Sequence, residues 1–398
     1  MRHMKWAIGL LLTAILASSC ATTVHVRHLV PAEVNLAGRR ELAVSTATLP
    51  DSIRRPSPWI DGLQETNFSL YSGWEGDIPT TVTTLATNHI TKELSSTGYF
   101  TVLGPRQTDG YMAQICGGKD GCSGLTALGV RALMVLDIPY MEATEQVIGR
   151  DHYEQMTKEL ELENPDKGKP LQPDTIKITN TFNELKGRDY YLVQKATLTL
   201  TYTLYDTGDG TVIASRTFTD SSERETKIGT RTYGADLKTY SDERTYYSNL
   251  APSFAPLFDS IVESMGEKIA LQLAPSWKSS RVSLLDVKPK SESVKEAEKA
   301  VKHGEYQQAY LIYYGLWQQH SFAAGYNAAL LLEGMGKLDE ALALMDDVYH
   351  QSGSQHSHAA LLRIQEAKSL HDKAERQITG EIDDDGQGLL LTQYMVAE

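Results

Sequence analysis

The run Ala196-Thr-Leu-Thr-Leu-Thr-Tyr-Thr-Leu204 alternates apolar and hydroxyl side chains without a break, and this period of two constrains the fold more than any other stretch. Successive strand residues point to opposite faces, so the pattern demands a strand with one dry face and one wet one. Asp206 to Gly210 supplies turn residues and Val212 to Phe218 returns, which predicts a hairpin. Glu41-Leu42-Ala43-Val44-Ser45-Thr46 reads as a first core strand, and Tyr99-Phe100-Thr101-Val102-Leu103 as a second. Ala132-Leu133-Met134-Val135-Leu136 is continuously apolar, as suits a strand covered on both faces. Val82, Leu85, Ala86, Ile90 and Leu94 recur at helical spacing up to about Ser96. Phe254, Leu257, Phe258, Ile261, Val262, Met265, Ile269 and Leu273 mark a second long helix, stopped by Pro275. A short helix over Leu125 to Val130 and a β-prone run from Thr23 to Val30 complete the set.

These elements predict an α+β or α/β domain, a mixed sheet backed by two long helices. Residues 50–79, with four prolines, are expected as a surface connection, and the charged residues 150–175 as a loop or peripheral excursion. Residues 220–250 place Tyr233, Tyr240, Tyr246 and Tyr247 among charges; they read either as a partner-binding loop or as a solvated excursion.

After a linker at 286–291 the chain becomes helical, and Ser293 with Glu296 has capping-box spacing. Gly304-x-Tyr306-x-x-Ala309 returns as Gly336-x-Leu338-x-x-Ala341, 32 positions later. The glycine releases the chain between two helices, the bulky residue packs in their crossing, and the alanine permits close approach. This resembles tetratricopeptide repeats, whose period is about 34 residues. Leu361, Leu362 and Ile364, extended to Ala367 and Leu370, are expected as a helix capping the last repeat.

The other end carries an address. Arg2 and Lys5 precede an apolar run from Ala7 to Ala17, too short for a permanent span of about 20 residues, and Ala17-Ser18-Ser19 precede Cys20. This resembles a bacterial lipobox, in which the cysteine becomes the acylated N-terminus; Leu16 stands four residues before Cys20 where the pattern usually has three. The expected division is 1–19 signal peptide, 20–285 α/β envelope domain, 286–291 linker, 292–373 tetratricopeptide-like domain and 374–398 acidic flexible tail. In an oxidising envelope, Cys116 and Cys122 are expected to pair as a disulfide. With neither a nearby His nor a second cysteine pair, they fall short of a zinc set.

Of the 398 residues, 41% are apolar and 22% charged, the composition of a globular chain. The net charge of -13, with no dense Lys/Arg stripe, argues against nucleic acid as a partner.

Pro31-Ala32-Glu33-Val34-Asn35-Leu36, Tyr202-Thr203-Leu204-Tyr205-Asp206, Gly266-Glu267-Lys268-Ile269-Ala270, Ala274-Pro275-Ser276-Trp277, and Tyr326-Asn327-Ala328-Ala329 with Glu333-x-x-Gly336 join the lipobox and the Ala132 strand in one order. Together they resemble an uncharacterised family of Bacteroidota lipoproteins, a domain of unknown function. That resemblance implies an architecture and a cell type without a chemistry. More distantly, the first domain resembles envelope lipoproteins of the curli-secretion CsgG type, which tend to build assemblies. The long amphipathic insertions expected of a pore are not evident in the sequence.

No Gly-x-Ser-x-Gly elbow, His-Glu-x-x-His or phosphate-binding Gly-Lys-Ser/Thr loop occurs. Gly121-Cys122-Ser123-Gly124 superficially suggests a nucleophile, which a disulfide would silence. His350, His356 and His358 lie in loop-like composition and read as an exposed tract. Glu381-x-Asp383-x-Asp385-Gly386 imitates a calcium loop but has Thr392 where a bidentate Glu is required, so it reads as an acidic tail. Neither catalytic residues, nor metal, nor cofactor is assigned. The expectation is a non-enzymatic outer-membrane lipoprotein facing the periplasm, held by lipid on Cys20 and binding a protein partner through its repeats. The alternatives are an oligomeric secretion or assembly component and an envelope hydrolase with an unrecognised site.

Overall fold

The computed structural model describes residues 22–115, 123–163 and 175–380. In chain order its elements are β1 (Thr23–Val30), β2 (Glu41–Val44), β3 (Ser52–Arg54), α1 (Ile78–Ser96), β4 (Thr101–Leu103), α2 (Pro105–Ile115), α3 (Ser123–Ala127), β5 (Ala132–Glu163), β6 (Thr175–Asp206), β7 (Val212–Tyr233) and β8 (Tyr240–Arg244). Then follow α4 (Ala255–Leu273), β9 (Ser276–Ser283), α5 (Glu292–Lys302), α6 (Tyr306–Trp317), α7 (Phe322–Gly334), α8 (Leu338–Ser352) and α9 (Gln355–Thr379). The chain parts into two compact units, Glu41–Ile269 and the two flanks together.

The inner unit holds a seven-stranded mixed sheet in the order β4-β2-β5-β6-β7-β8, with β3 also against β5. Pairing is parallel among β4, β2, β3 and β5, and antiparallel from β5 to β8. The alternation that predicted the hairpin is met in full: Leu192, Gln194, Ala196, Leu198, Leu200, Tyr202 and Leu204 are buried on one face. On the other face Thr199, Thr201 and Thr203 exchange hydroxyl bonds of 2.8–3.0 Å with Thr219, Thr217 and Ser215. In α1, Ile78, Val82, Ala86, Ile90 and Leu94 are fully buried, as their spacing requires. Helix α4 adjoins α1 where a Cβ on Gly266 would touch Glu93 Cγ at 3.4 Å, and His89 Nε2 stands 2.8 Å from Asp259 Oδ1.

The flanks form the second unit. β1 pairs antiparallel with β9 along its whole length, and this two-stranded ribbon lies against α5, α7 and α9. Residues 23–40 and β9 thus belong with the helices, whereas the sequence placed both within a domain ending at 285. Val24 and Val26 enter the helical core, and Gly334 permits the approach, since a Cβ there would lie 2.6 Å from Val24 Cγ1 and 3.2 Å from the His25 carbonyl. Helix α7 is buried over almost its whole circumference, so its polar residues must find partners. Asn327 does so by treating Leu285 as a neighbouring strand: its Oδ1 accepts from the Leu285 amide at 2.7 Å and its Nδ2 donates to the Leu285 carbonyl at 2.9 Å. Gln377 of α9 holds Ala32 in the same manner, at 2.8 and 3.1 Å.

Glu333, fully buried at the end of α7, is gripped from two sides. Arg363 Nη1 and Nη2 bond both of its carboxylate oxygens, and His28 Nε2 of β1 lies 2.9 Å from Oε1. Burial works to raise the carboxyl pKa, but the bonds and charges of His28 and Arg363 outweigh it, and the net shift is downward.

Several expectations are corrected here. Residues 150–175 are no loop where described: β5 runs on to Glu163 and β6 starts at Thr175. The helix-starting cap is Ser291, whose hydroxyl accepts from the Val294 amide, rather than Ser293. The expected tail from 374 is helical through Thr379, with Ala374 buried. Helix α9 packs on the unit through Ala360, Ile364 and Ala367; of the other residues expected on that face, Leu361 and Leu370 are half-buried and Leu362 is exposed.

Arg363→Ala leaves the Glu333 carboxylate buried against one imidazole. Removing one partner of a buried pair should lower stability by about 3 kcal/mol. Chemical unfolding of the full chain followed at the helical circular-dichroism band measures the loss, and Glu333→Gln in the Arg363→Ala background should recover part of it.

Candidate functional site

The most unusual feature is the far half of the β5–β6 hairpin. Up to Gly187, β6 is flanked by β7; beyond it, Tyr153–Glu163 and Thr175–Leu185 pair, among the described residues, only with each other, in eleven consecutive pairs. At about 3.4 Å per residue this is an arm of about 35 Å with both edges open. A register shift between His152 and Tyr153 marks its root, where the residue opposite, Lys186, is bulged out of the ladder. Bulges bend a strand and tighten its twist, so this one sets the direction the arm leaves in.

The two faces of the arm differ. One carries the pairs Glu154/Glu184, Met156/Phe182, Lys158/Asn180 and Leu160/Ile178, with Leu162 beyond. The other carries Gln155/Asn183, Thr157/Thr181, Glu159/Thr179 and Glu161/Lys177, the last a 2.9 Å ion pair. Leu160 is 41% exposed, Phe182 47% and Leu162 50%, so a row of large apolar side chains stands in water. An isolated two-stranded hairpin is marginally stable, and such a row is what surfaces avoid unless it is used. At the root, Glu154 and Glu184 face each other across the ladder, a repulsive pairing. Bulged Lys186 relieves it, with Nζ 2.8 Å from Glu184 and 4.0 Å from Glu154.

Further inside the sheet, a polar row crosses the same strands. Glu145, Gln194 and Arg224 sit side by side in register on β5, β6 and β7. Gln194 Nε2 donates to Glu145 Oε2 at 3.2 Å and to the Pro252 carbonyl at 2.8 Å. Arg224 Nη2 donates to Gln194 Oε1 at 2.7 Å and to the Ser253 carbonyl at 2.8 Å. The row therefore fixes strand register and holds the 252–253 backbone over the sheet.

Of the four tyrosines singled out in sequence, Tyr233 and Tyr240 face each other on β7 and β8. Arg231 stacks over Tyr240 at 3.9 Å and bonds Asp242 with Nε and Nη2 at 2.8 and 2.9 Å. The guanidinium holds the Asp242 carboxyl below the usual range. Tyr246 donates its hydroxyl to the Leu250 carbonyl, and Tyr247 is exposed. The stretch is thus half strand and half connection, and the four rings form no single patch. Gly304 and Gly336 share φ 78, a left-handed value, immediately before α6 and α8; Ala309 and Ala341 are fully buried. Tyr306 opens α6 and Leu338 opens α8, and the Tyr306 hydroxyl accepts from the His25 amide. Cys20, Cys116, Cys122 and the acidic Glu381–Gly386 stretch lie outside the described residues. Among the described residues no group of three His, Cys, Asp or Glu is placed to hold a metal, and no helix is long and apolar enough to cross a membrane.

No family model and no curated protein matches the chain. Among solved structures it is similar to the PelC dodecamer from Paraburkholderia phytofirmans. A point variant in space group C2 gives 12% identity over 62% of this chain and 98% of that one, with TM-score 0.22. The form in space group P6 gives 10% identity over 63% and 97%, with TM-score 0.21. Scores this low carry no argument about this chain.

The Arg231–Asp242 pair gives a pH-dependent expectation. A carboxyl with a depressed folded pKa contributes its full stabilisation above its unfolded value of about 4 and loses it as the pH falls through the lower folded value. Asp242→Asn should cost about 2 kcal/mol at neutral pH and flatten the acid limb of the stability curve, read by urea unfolding from neutral to strongly acidic buffer.

Proposed function

We propose that this chain is a non-catalytic, lipid-anchored component of a cell-envelope assembly, whose copies associate through the β5–β6 arm. The carrying observation is the arm itself: eleven unsupported strand pairs, two open edges and an exposed apolar row on one face. Open edges are templates for pairing with another chain, and natural sheets normally cover or shorten them. The outer edge of β5 in one copy and that of β6 in the next are complementary by construction, and edge pairing would set successive apolar faces side by side. The lipobox ending at Cys20 supplies the anchor in this reading, and the CsgG-type resemblance agrees with it.

A second reading places a protein partner on the helical unit. The matched turns at Gly304 and Gly336 support a tetratricopeptide-like build. Yet the face made by α5, α7 and α9, where a repeat groove would receive a partner, is covered by the chain's own β1. A partner on this unit would meet the outer helices, where Leu311 of α6 is exposed.

Sedimentation velocity on the detergent-solubilised full chain separates the readings. Self-association should give a protein mass well above the 44.1 kDa of one chain. Leu160→Glu with Phe182→Glu should return the protein to a monomer with an unchanged circular-dichroism spectrum. A monomeric wild type at high concentration, or an assembly indifferent to these charges, rules the arm out as the contact.

A further inference from the structure

The β1–β9 ribbon differs in composition from the rest of the chain. Its sixteen residues, Thr23–Val30 and Ser276–Ser283, contain Arg27, Lys278, Arg281, His25 and His28 and not one Asp or Glu, in a chain whose net charge is -13. Its two faces are distinct. Val24 and Val26 are buried toward the helices, on the face that also carries the pair His28/Lys278, while the opposite face carries the register pairs His25/Arg281, Arg27/Ser279 and Leu29/Trp277, of which Leu29 is itself buried. His25, Arg27, Lys278 and Arg281 are exposed, and Trp277 is 55% exposed with the Arg27 guanidinium 5.3 Å from its ring. The ribbon is rigidly mounted, since the Tyr306 hydroxyl and the Glu333–His28 contact fix β1 to α6 and α7.

Its place in the chain supplies the second observation. Three residue steps separate Cys20 from Thr23, a reach of at most about 11 Å even when fully extended. An acyl group on Cys20 therefore confines the start of the ribbon to the headgroup region, within about one Debye length of any anionic surface charge. A carboxylate-bearing face would be repelled there. This one is basic, and it adds a tryptophan, the side chain that settles at a membrane–water boundary.

We propose that the exposed face of the β1–β9 ribbon docks on anionic phospholipid headgroups, with Arg27 and Arg281 facing phosphate and Trp277 at the boundary. The placement rests in part on the reading of Cys20 as the lipid-bearing residue, but the affinity of the face for lipid is its own property. It supplies an electrostatic contact beside the acyl anchor and orients the helical unit on the bilayer.

The test uses the full chain with Cys20→Ala, which has no acyl group. It is sedimented with vesicles of phosphatidylcholine alone and of phosphatidylcholine mixed with phosphatidylglycerol. Binding is expected to the mixed vesicles only, to weaken with salt, and to fall roughly fivefold for each of Arg27→Ala and Arg281→Ala, the equivalent of about 1 kcal/mol per cation. Trp277→Ala should weaken it without changing its salt dependence, and all three positions are exposed enough that circular dichroism should stay unchanged. Equal binding to both vesicles, binding to neither, or undiminished binding by the double variant Arg27→Ala with Arg281→Ala overturns the proposal. Labelling of the wild-type chain with an alkynyl fatty acid, absent in Cys20→Ala, reads the anchor separately. Vesicle binding without labelling overturns the anchor and supports the ribbon; labelling without vesicle binding does the reverse.

Discussion

Backbone hydrogen bonding along β5 is the constraint on which the inner unit depends. This one strand takes β2 and β3 as parallel partners over its first part, β6 as an antiparallel partner over its whole length, and, among the described residues, no second neighbour beyond Gln146. Every strand amide that lacks a ladder partner must be solvated or paired. Where β5 is central, apolar residues on both faces are buried. Where it stands on an edge, charge and threonine replace them except along the single apolar row. The change in composition along one strand therefore records the change in its number of neighbours.

In the second unit the equivalent constraint is the saturation of α7. A helix surrounded on all sides cannot leave Asn327 or Glu333 unpaired, because an unmatched buried amide or carboxylate costs more than the helix gains from burying it. Both are satisfied by segments far away in sequence, Leu285 for one and His28 with Arg363 for the other. These bonds explain why β1 and the segment that follows β9 come to lie on one set of helices. The motifs Tyr326-Asn327-Ala328-Ala329 and Glu333-x-x-Gly336 are accordingly packing and docking residues. Within them Glu333 has the strongest polar demand.

Legibility in the sequence followed burial. Ala196 to Leu204 and the apolar stripes of α1 and α4 were readable because each element has one wet and one dry face, and that contrast is what periodicity reports. The glycine turns at 304 and 336 were readable because a left-handed φ admits few other residues. The arm was not readable: with both faces in water, Tyr153–Glu163 shows only Met156, Leu160 and Leu162 at even positions among charges, which composition alone cannot separate from a loop. The membership of β1 was equally hidden, since its alternation of Val24 and Val26 with His25 and Arg27 says strand without saying which partner. The polar row of Glu145, Gln194 and Arg224 is assembled from three strands by register, so no local spacing announces it.

The two surfaces singled out differ in the physics they would use, and the difference follows from how each is supported. The arm has no core beneath it, so its shape depends on its own ladder and on whatever completes that ladder; pairing with the opposite edge of a second copy adds backbone bonds that water now supplies. The ribbon is mounted on a full hydrophobic core through Val24 and Val26, so it gains no order from a partner and can act only through the charges and ring it displays. A surface that needs a partner to be stable suits assembly. A surface already rigid, basic and free of carboxylates, a few residues from Cys20, suits a flat, fluid, anionic one.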